Sequence, residues 1–203
     1  MSDLADFGLT PAAADQLLDL AEAAIRARLV GDPPPRVDVP ALPPQLRRPL
    51  GAFVTLHVRG ELNGCIGHII GTAPIAAGVA ELAVSSAFHD PRLPALRADD
   101  LDDLDIEISL LSVPAPVPAR TRAELVGRLR PGVDGLILSS GGHSAVFLPT
   151  VWQQLPDPDD FVDRLLLKAR LPTDRWPDDM RAELFTTAIF ARRVVPDGVR
   201  HHP

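Results

Sequence analysis

Proline placement is the strongest constraint on this chain. Of its 203 residues, 22 are proline, and they fall in groups that divide it into short elements. A proline has a fixed φ and no amide proton, so it starts helices but does not continue them, and in a sheet it is confined to edges and bulges. Thr10-Pro11 therefore reads as a helix start, with Thr capping the free amides. Ala14, Leu17, Leu18, Ala21, Ala24 and Ile25 then recur at helical spacing as far as about Val30. Pro33, Pro34 and Pro35 end that helix, and further prolines to Pro49 forbid regular structure. Val37, Val39, Leu42 and Leu46 make this stretch too apolar for a free linker, so it is expected to lie extended against the body.

Between the proline groups the patterns are short. Gly51 to Val58 is a strand by its β-branched and aromatic content. Arg59-Gly60 offers a tight turn, and Glu61 to Ile70 returns. A two-residue loop at Arg59-Gly60 or Gly60-Glu61 puts Cys65 on one face with Val54, Leu56 and Asn63, with His57 on the other. A three-residue loop reverses this, and both registers stay open. Pro74 opens a second helix with Ile75, Val79, Leu82, Ala83 and Ser86 on its inner face. Pro91 and Pro94 stiffen the loop that follows. After the acidic run Asp99 to Asp103, residues Leu104 to Leu110 alternate strictly, with Ile106, Ile108 and Leu110 on one face and Asp105, Glu107 and Ser109 on the other.

Pro114, Pro116 and Pro118 form a stiff connector. Thr121 and Glu124 have the spacing of a capping box, opening a short helix through Leu129. Asp134 to Leu138 and His143 to Leu148 form a second hairpin, Asp157 starts another helix, and Leu184 to Val195 is a last strand expected to close the sheet. The expected fold is α+β, one domain with a largely antiparallel sheet flanked by helices and a smaller lobe at about 114–156. No internal repeat is present.

Composition narrows function chiefly by exclusion. The hydrophobic fraction of 46% and mean hydropathy of +0.10 suit a folded core. The net charge of −7, 7 Phe, 2 Trp and no Tyr supply neither the basic stripe nor the stacking platform that nucleic acids require. No apolar run approaches the roughly 18–20 residues of a membrane helix. The acidic start, Met1 to Asp6, lacks the features of a signal peptide, and a single cysteine fits a reducing compartment, so the expected setting is cytoplasmic. His201-His202-Pro203 is too short to interpret.

Cys65, between Gly64 and Gly67 in Glu61-Leu62-Asn63-Gly64-Cys65-Ile66-Gly67, is the sharpest candidate for chemistry. The glycines leave room for a ligand or a second backbone to approach the sulfur. A reactive thiol needs a neighbouring base, cation or helix N-terminus; His57, His68, His89 and Arg92 are candidates. Equally, a free cysteine is commonly a buried small hydrophobe. Gly64 and Gly67 either expose amides to an anion or accommodate a bulge, and the sequence carries no phosphate-loop or dinucleotide fingerprint. Glu107 is either a solvated surface acid or a general acid/base facing a cleft. Asp90-Pro91-Arg92 is either a local ion pair or an arginine held out to clamp an anion. Scattered histidines and a lone cysteine give no metal site, no Gly-x-Ser-x-Gly elbow occurs, and no cofactor is indicated.

These segments resemble a known family. Leu62-Asn63-Gly64-Cys65-Ile66-Gly67 is similar to the AMMECR1-domain hexapeptide Leu-Arg-Gly-Cys-Ile-Gly. Ala87 to Pro94 resembles its Ala-Phe-x-Asp-Pro-Arg-Phe-Pro, and Ile106 to Leu111 its Ile-Glu-Val-Ser-Val-Leu. Pro131 to Leu136, Phe147 to Trp152 and Leu167 to Leu171 correspond as well, in order, from about Gly51 to Phe190. The resemblance implies an α+β body with a smaller lobe and a cleft near the hexapeptide. It also implies association with a Memo-type protein and a radical-SAM protein in a three-part system of unestablished reaction. Three positions depart from the pattern: Asn63 for Arg, Thr150 for Gln and Arg170 for Gly. Loss of the arginine removes a fixed charge two residues from the thiol. The site expected from residues and resemblance together is Cys65 with Glu107 as acid/base, framed by Asn63, Gly64 and Gly67, with Asp90 and Arg92 as loop and clamp. Two functions follow: cysteine-dependent chemistry on a small molecule or protein, or a non-catalytic binding module with a packed cysteine.

Overall fold

The structure, a computed structural model, describes residues 3–194; Val195 of the expected last strand and the terminal His201-His202-Pro203 lie outside the described residues. In chain order the elements are α1 (Pro11–Leu29), β1 (Gly51–Val58), β2 (Glu61–His68), α2 (Ile75–Phe88), β3 (Leu104–Leu111) and β4 (Ala115–Val117). They continue with α3 (Arg122–Val126), β5 (Gly135–Ser140), β6 (His143–Phe147), α4 (Pro158–Lys168), β7 (Arg181–Phe185) and β8 (Thr187–Arg193). Short 3-10 turns lie between several of them. The fold is α+β, as the alternation of helices with hairpins implies.

The single sheet expected from sequence is two sheets of four strands, ordered β2-β1-β3-β8 and β4-β7-β5-β6. The strand expected from Leu184 onward is two strands, one in each sheet. The break falls at Thr186. Its amide donates to Ser112 Oγ at 2.9 Å and its carbonyl accepts from the Ser112 amide at 3.0 Å, so neither group is available to extend a ladder. The chain accordingly divides into two units. One spans Asp3–Leu111 and resumes at Ala188, and the other is Ser112–Thr187.

In the first unit α1 begins as its sequence dictates, with Thr10 Oγ1 accepting from the Ala13 amide at 3.2 Å and Pro11 at the first helical position. Leu17, Leu18, Ala21 and Ile25 are buried along one stripe and share a core with Val79 and Leu82 of α2, Val54 and Leu56 of β1, and Ile106 and Ile108 of β3. The proline segment is less extended than expected. It contains two 3-10 turns, Val39–Ala41 and Pro44–Arg47, and it buries Leu42 and Leu46 in this core. Arg47 holds it folded by donating to the carbonyls of Leu42 at 2.7 Å and Pro40 at 2.8 Å, which prolines cannot satisfy with amides of their own.

The second unit has its own core, with Trp152 stacked on Phe161 at 3.7 Å between ring centres and its Nε1 donating to the Asp134 carbonyl at 2.7 Å. Of the expected capping box at α3, the Thr121 half forms, its hydroxyl accepting from the Glu124 amide at 3.2 Å. Glu124, however, reaches the Arg120 amide, and the helix stops at Val126 rather than at Leu129. At the end of α4 the Leu171 amide donates to the Leu166 carbonyl and the Arg170 amide to the Leu167 carbonyl, which requires a left-handed residue at 170. Arg170 has φ +58 there, at a position where the resembling family carries glycine. Left-handed backbone costs a residue with a Cβ about 1–2 kcal/mol. Arg170→Gly should therefore raise unfolding free energy by about 1 kcal/mol, after allowance for glycine's looser unfolded state. Arg170→Ala should give no gain, and denaturant titration of both variants distinguishes the backbone effect from loss of the side chain.

Candidate functional site

The face that Cys65 occupies is decided by one extra residue. Arg59 and Gly60, at φ +53 and +82, form the two-residue turn that matches the twist of a hairpin. That turn pairs Val58 with Glu61 and His57 with Leu62, yet Leu56 pairs with Gly64, so Asn63 is an unpaired bulge. Beyond the bulge the register has moved by one, and Cys65 stands opposite Thr55. The two-residue loop expected to place Cys65 beside Val54 and Leu56 is present; the bulge cancels its consequence. Cys65 lies on the face of Phe53, Thr55 and His57, while Val54, Leu56, Gly64 and Ile66 face the helices.

Across the neighbouring pair of strands Thr55 stands opposite Glu107. Cys65, Thr55 and Glu107 thus form one row over β2, β1 and β3, all half-buried, with about 10 Å between the outer Cα atoms at normal strand spacing. Thr55 Oγ1 lies 3.3 Å from Cys65 Sγ, a hydrogen bond to sulfur. Of the four candidate activators of the thiol, His57 shares its face, one pair further along. His68 sits on the helix-facing side of β2, and His89 follows α2 as its C-terminal cap. Arg92 reaches the carbonyl of Cys65.

β2 is an edge strand, so the outward main-chain groups of Cys65 need partners that no strand supplies. Asp90 and Arg92 supply them. The Cys65 amide donates to Asp90 Oδ2 at 3.0 Å, and Arg92 Nη2 donates to the Cys65 carbonyl at 2.9 Å and to Asp90 Oδ2 at 2.7 Å. Arg92 Nε and its own amide donate to Asp90 Oδ1 at 2.9 and 3.1 Å, with Pro91 stiffening the loop between. Hydrogen bonds from Arg92, and after them from the Cys65 amide, hold the Asp90 carboxyl well below the usual carboxylate range. The same carboxylate holds the Arg92 guanidinium above its ordinary value.

Ser86, on the last turn of α2, ties the next residue. Its Oγ accepts from the Ile66 amide at 3.0 Å and donates to the Val54 carbonyl at 2.8 Å, so one hydroxyl links helix and two strands. Sequence periodicity places Ser86 on the inner face of α2 but gives it no role; a lone hydroxyl on an otherwise apolar stripe was the available signal. Gly64 belongs to the same contact, because a Cβ there would run into the Ser86 carbonyl. At Gly67 a Cβ would collide with the Phe53 ring and the Ala52 carbonyl. Asn63 is half-buried at the bulge, and its Oδ1 is buried without a hydrogen-bond partner among the described residues. Those residues also contain no group of three or more side chains able to hold a metal ion.

Two outcomes test this construction. Gly64→Ala must push the last turn of α2 from the sheet and should cost about 2–3 kcal/mol in denaturant unfolding. For Asp90 the sign follows from its lowered carboxyl. Its contribution is complete above the unfolded-state value of about 3.9 and is lost as pH falls towards the lower folded-state value. Asp90→Ala should therefore melt below the parent protein at pH 7, with the difference narrowing below about pH 4. Asp179, whose carboxyl is likewise held low by Ser140 and the Gly141 amide, is present in both proteins and cancels.

The geometry can be set beside known proteins. The AMMECR1 family model matches residues 18–190. A protein of Methanothermobacter thermautotrophicus is 36% identical over 176 residues, covering 86% of this chain and 91% of that one. A protein of Methanosarcina acetivorans is 32% identical over 182 residues, covering 88% and 90%. Among solved structures, the uncharacterized protein PH0010 from Pyrococcus horikoshii superposes with a TM-score of 0.75 at 31% identity, covering 89% of this chain and 92% of that chain. The family match takes in β1, β2, the Asp90-Arg92 loop, β3 and all of Ser112–Thr187, and the chain belongs to the AMMECR1 family.

Proposed function

We infer that the exposed face of the β2-β1-β3 row is a reactive surface whose working group is the Cys65 thiol. The observation that carries this reading is the Thr55 hydroxyl 3.3 Å from Cys65 Sγ on a half-buried face, where a ligand can reach the sulfur. A hydroxyl donated to sulfur favours the thiolate, the form that reacts. The ligand is a small molecule or a protein group with an electrophilic carbon. The thiol gives its proton to water and its sulfur bonds to that carbon. The leaving group departs with a proton from Glu107, which solvent restores. Glu107 suits this role by position, since a ligand laid along the row spans Thr55 and meets both groups. Gly64, Gly67, Asp90 and Arg92 position the thiol by fixing the main chain around it, and Asn63 borders it. This activity serves the Memo- and radical-SAM-associated system that the family resemblance implies, with those two proteins as partners.

A second reading takes the chain as a binding module with a packed cysteine. It is favoured by the fact that the hydrogen bonds of Asp90, Arg92 and Ser86 serve the main chain of β2, and that Thr55 supplies the hydrogen bond to the sulfur while Arg92 acts on it through charge.

Iodoacetamide labelling of native protein across pH separates the two. The thiol reading expects Cys65 to label in the native protein, more slowly in Thr55→Val. Asn63→Arg, which adds a cation at the bulge, should quicken labelling. Labelling that appears only on unfolding, in parent and variants alike, overturns the thiol reading in favour of the binding module.

A further inference from the structure

We propose that the face of β2 opposite the thiol carries a separate binding site for a small amphipathic amine. Between α2 and the end of β2 lies a cavity of about 280 Å³. Its floor is apolar: Leu50, Ala52, Ile66, Ile75 and Leu82. One stripe of α2 forms a wall at helical spacing, Gly78, Glu81, Leu82 and Ser85, and His68 and His89 complete the mouth.

Gly78 is the telling residue. It lies inside a fourteen-residue helix, where glycine is the poorest former after proline. No neighbour demands it, because a Cβ built there would meet nothing within 4 Å. Gly64 and Gly67 are explained by close contacts; Gly78 is explained only by the space it leaves, and that space is this cavity. A leucine or alanine would strengthen the helix and fill the hollow.

The lining selects the ligand. It contains neither lysine nor arginine, and its polar groups are the Glu81 carboxylate, two imidazoles and the Ser85 and Thr72 hydroxyls. Glu81, His68 and His89 are exposed at the mouth, and no side-chain hydrogen bond or ion pair engages them among the described residues. A carboxylate with neighbouring acceptors and no competing cation suits an ammonium group. The aliphatic lining suits a short branched or aromatic body, and the volume, just below the usual range of about 300–1,000 Å³ for ligand sites, limits the ligand to a small one.

The test uses full-length, isotope-labelled protein and two probes of matched shape and opposite charge, 3-methylbutylamine and 4-methylpentanoate, followed by amide chemical shifts. The amine should bind with a Kd of about 1 mM, reasonable for so few atoms, and shift residues of α2 and the end of β2. The carboxylate should bind at least tenfold more weakly. Glu81→Gln should weaken the amine about tenfold or more. Gly78→Leu should abolish its binding, while Gly78→Ala raises Tm by about 2–4 °C and weakens it. The site is overturned if the amine gives no shifts at about 10 mM, or if the two probes bind equally. It is equally overturned by binding that survives Gly78→Leu in protein whose Tm has not fallen.

Discussion

An edge strand with unmet main-chain groups is the constraint around which the first unit is arranged. β2 must end the sheet, and at Cys65 its outward amide and carbonyl are answered by one carboxylate and one guanidinium. The Asp90–Arg92 pair imitates the donor and acceptor of a neighbouring strand without offering an edge on which another chain could pair. Each of the two charges is doubly engaged, so neither is left buried and uncompensated. The pair lies two residues apart on either side of a proline, which lets so short a loop hold both groups at fixed distance from the strand.

From that anchor the rest of the hexapeptide follows. Gly64 lets the Ser86 carbonyl come down on the strand, Ser86 Oγ then reaches both Ile66 and Val54, and Gly67 admits the Phe53 ring. Gly64, Ile66, Gly67 and the main chain of Cys65 are thereby accounted for by backbone and packing. The Cys65 thiol lies outside this scaffold, as do the side chains of Leu62 and Asn63, and it is held half-buried against one hydroxyl on the face away from the helices. A rigid frame around a reactive group is the arrangement that function needs, since positioning within about half an ångström requires the supporting shell to be locked. It is also the arrangement of a motif that is mainly structural. Thiol reactivity is what divides the two.

Much of the fold was legible locally. Helix starts at Thr10, Pro74 and Asp157, the hairpins around Arg59-Gly60 and Gly141-Gly142, and the alternation through β3 all follow from capping, turn and periodicity rules that operate within a few residues. The strand expected to close a single sheet was not legible in the same way. Nothing in Leu184 to Val194 announces the break at Thr186, because its cause is Ser112, seventy-four residues away.

By itself the sequence determined most of the helix and strand segments and the family, while the short strand β4 lay hidden in a run of prolines. Those rest on residue type and short spacing, which a linear chain carries explicitly. Tertiary structure alone decided which face Cys65 occupies. A period of two makes every side chain in a strand hostage to a single inserted residue, and the bulge at Asn63 is set by how β2 meets β1 and α2 together. It also decided that Thr55 supplies the hydrogen bond to the sulfur, and that Gly78 opens on a cavity rather than a contact. These are relations between residues far apart in the chain, and they exist only once the long-range contacts have formed.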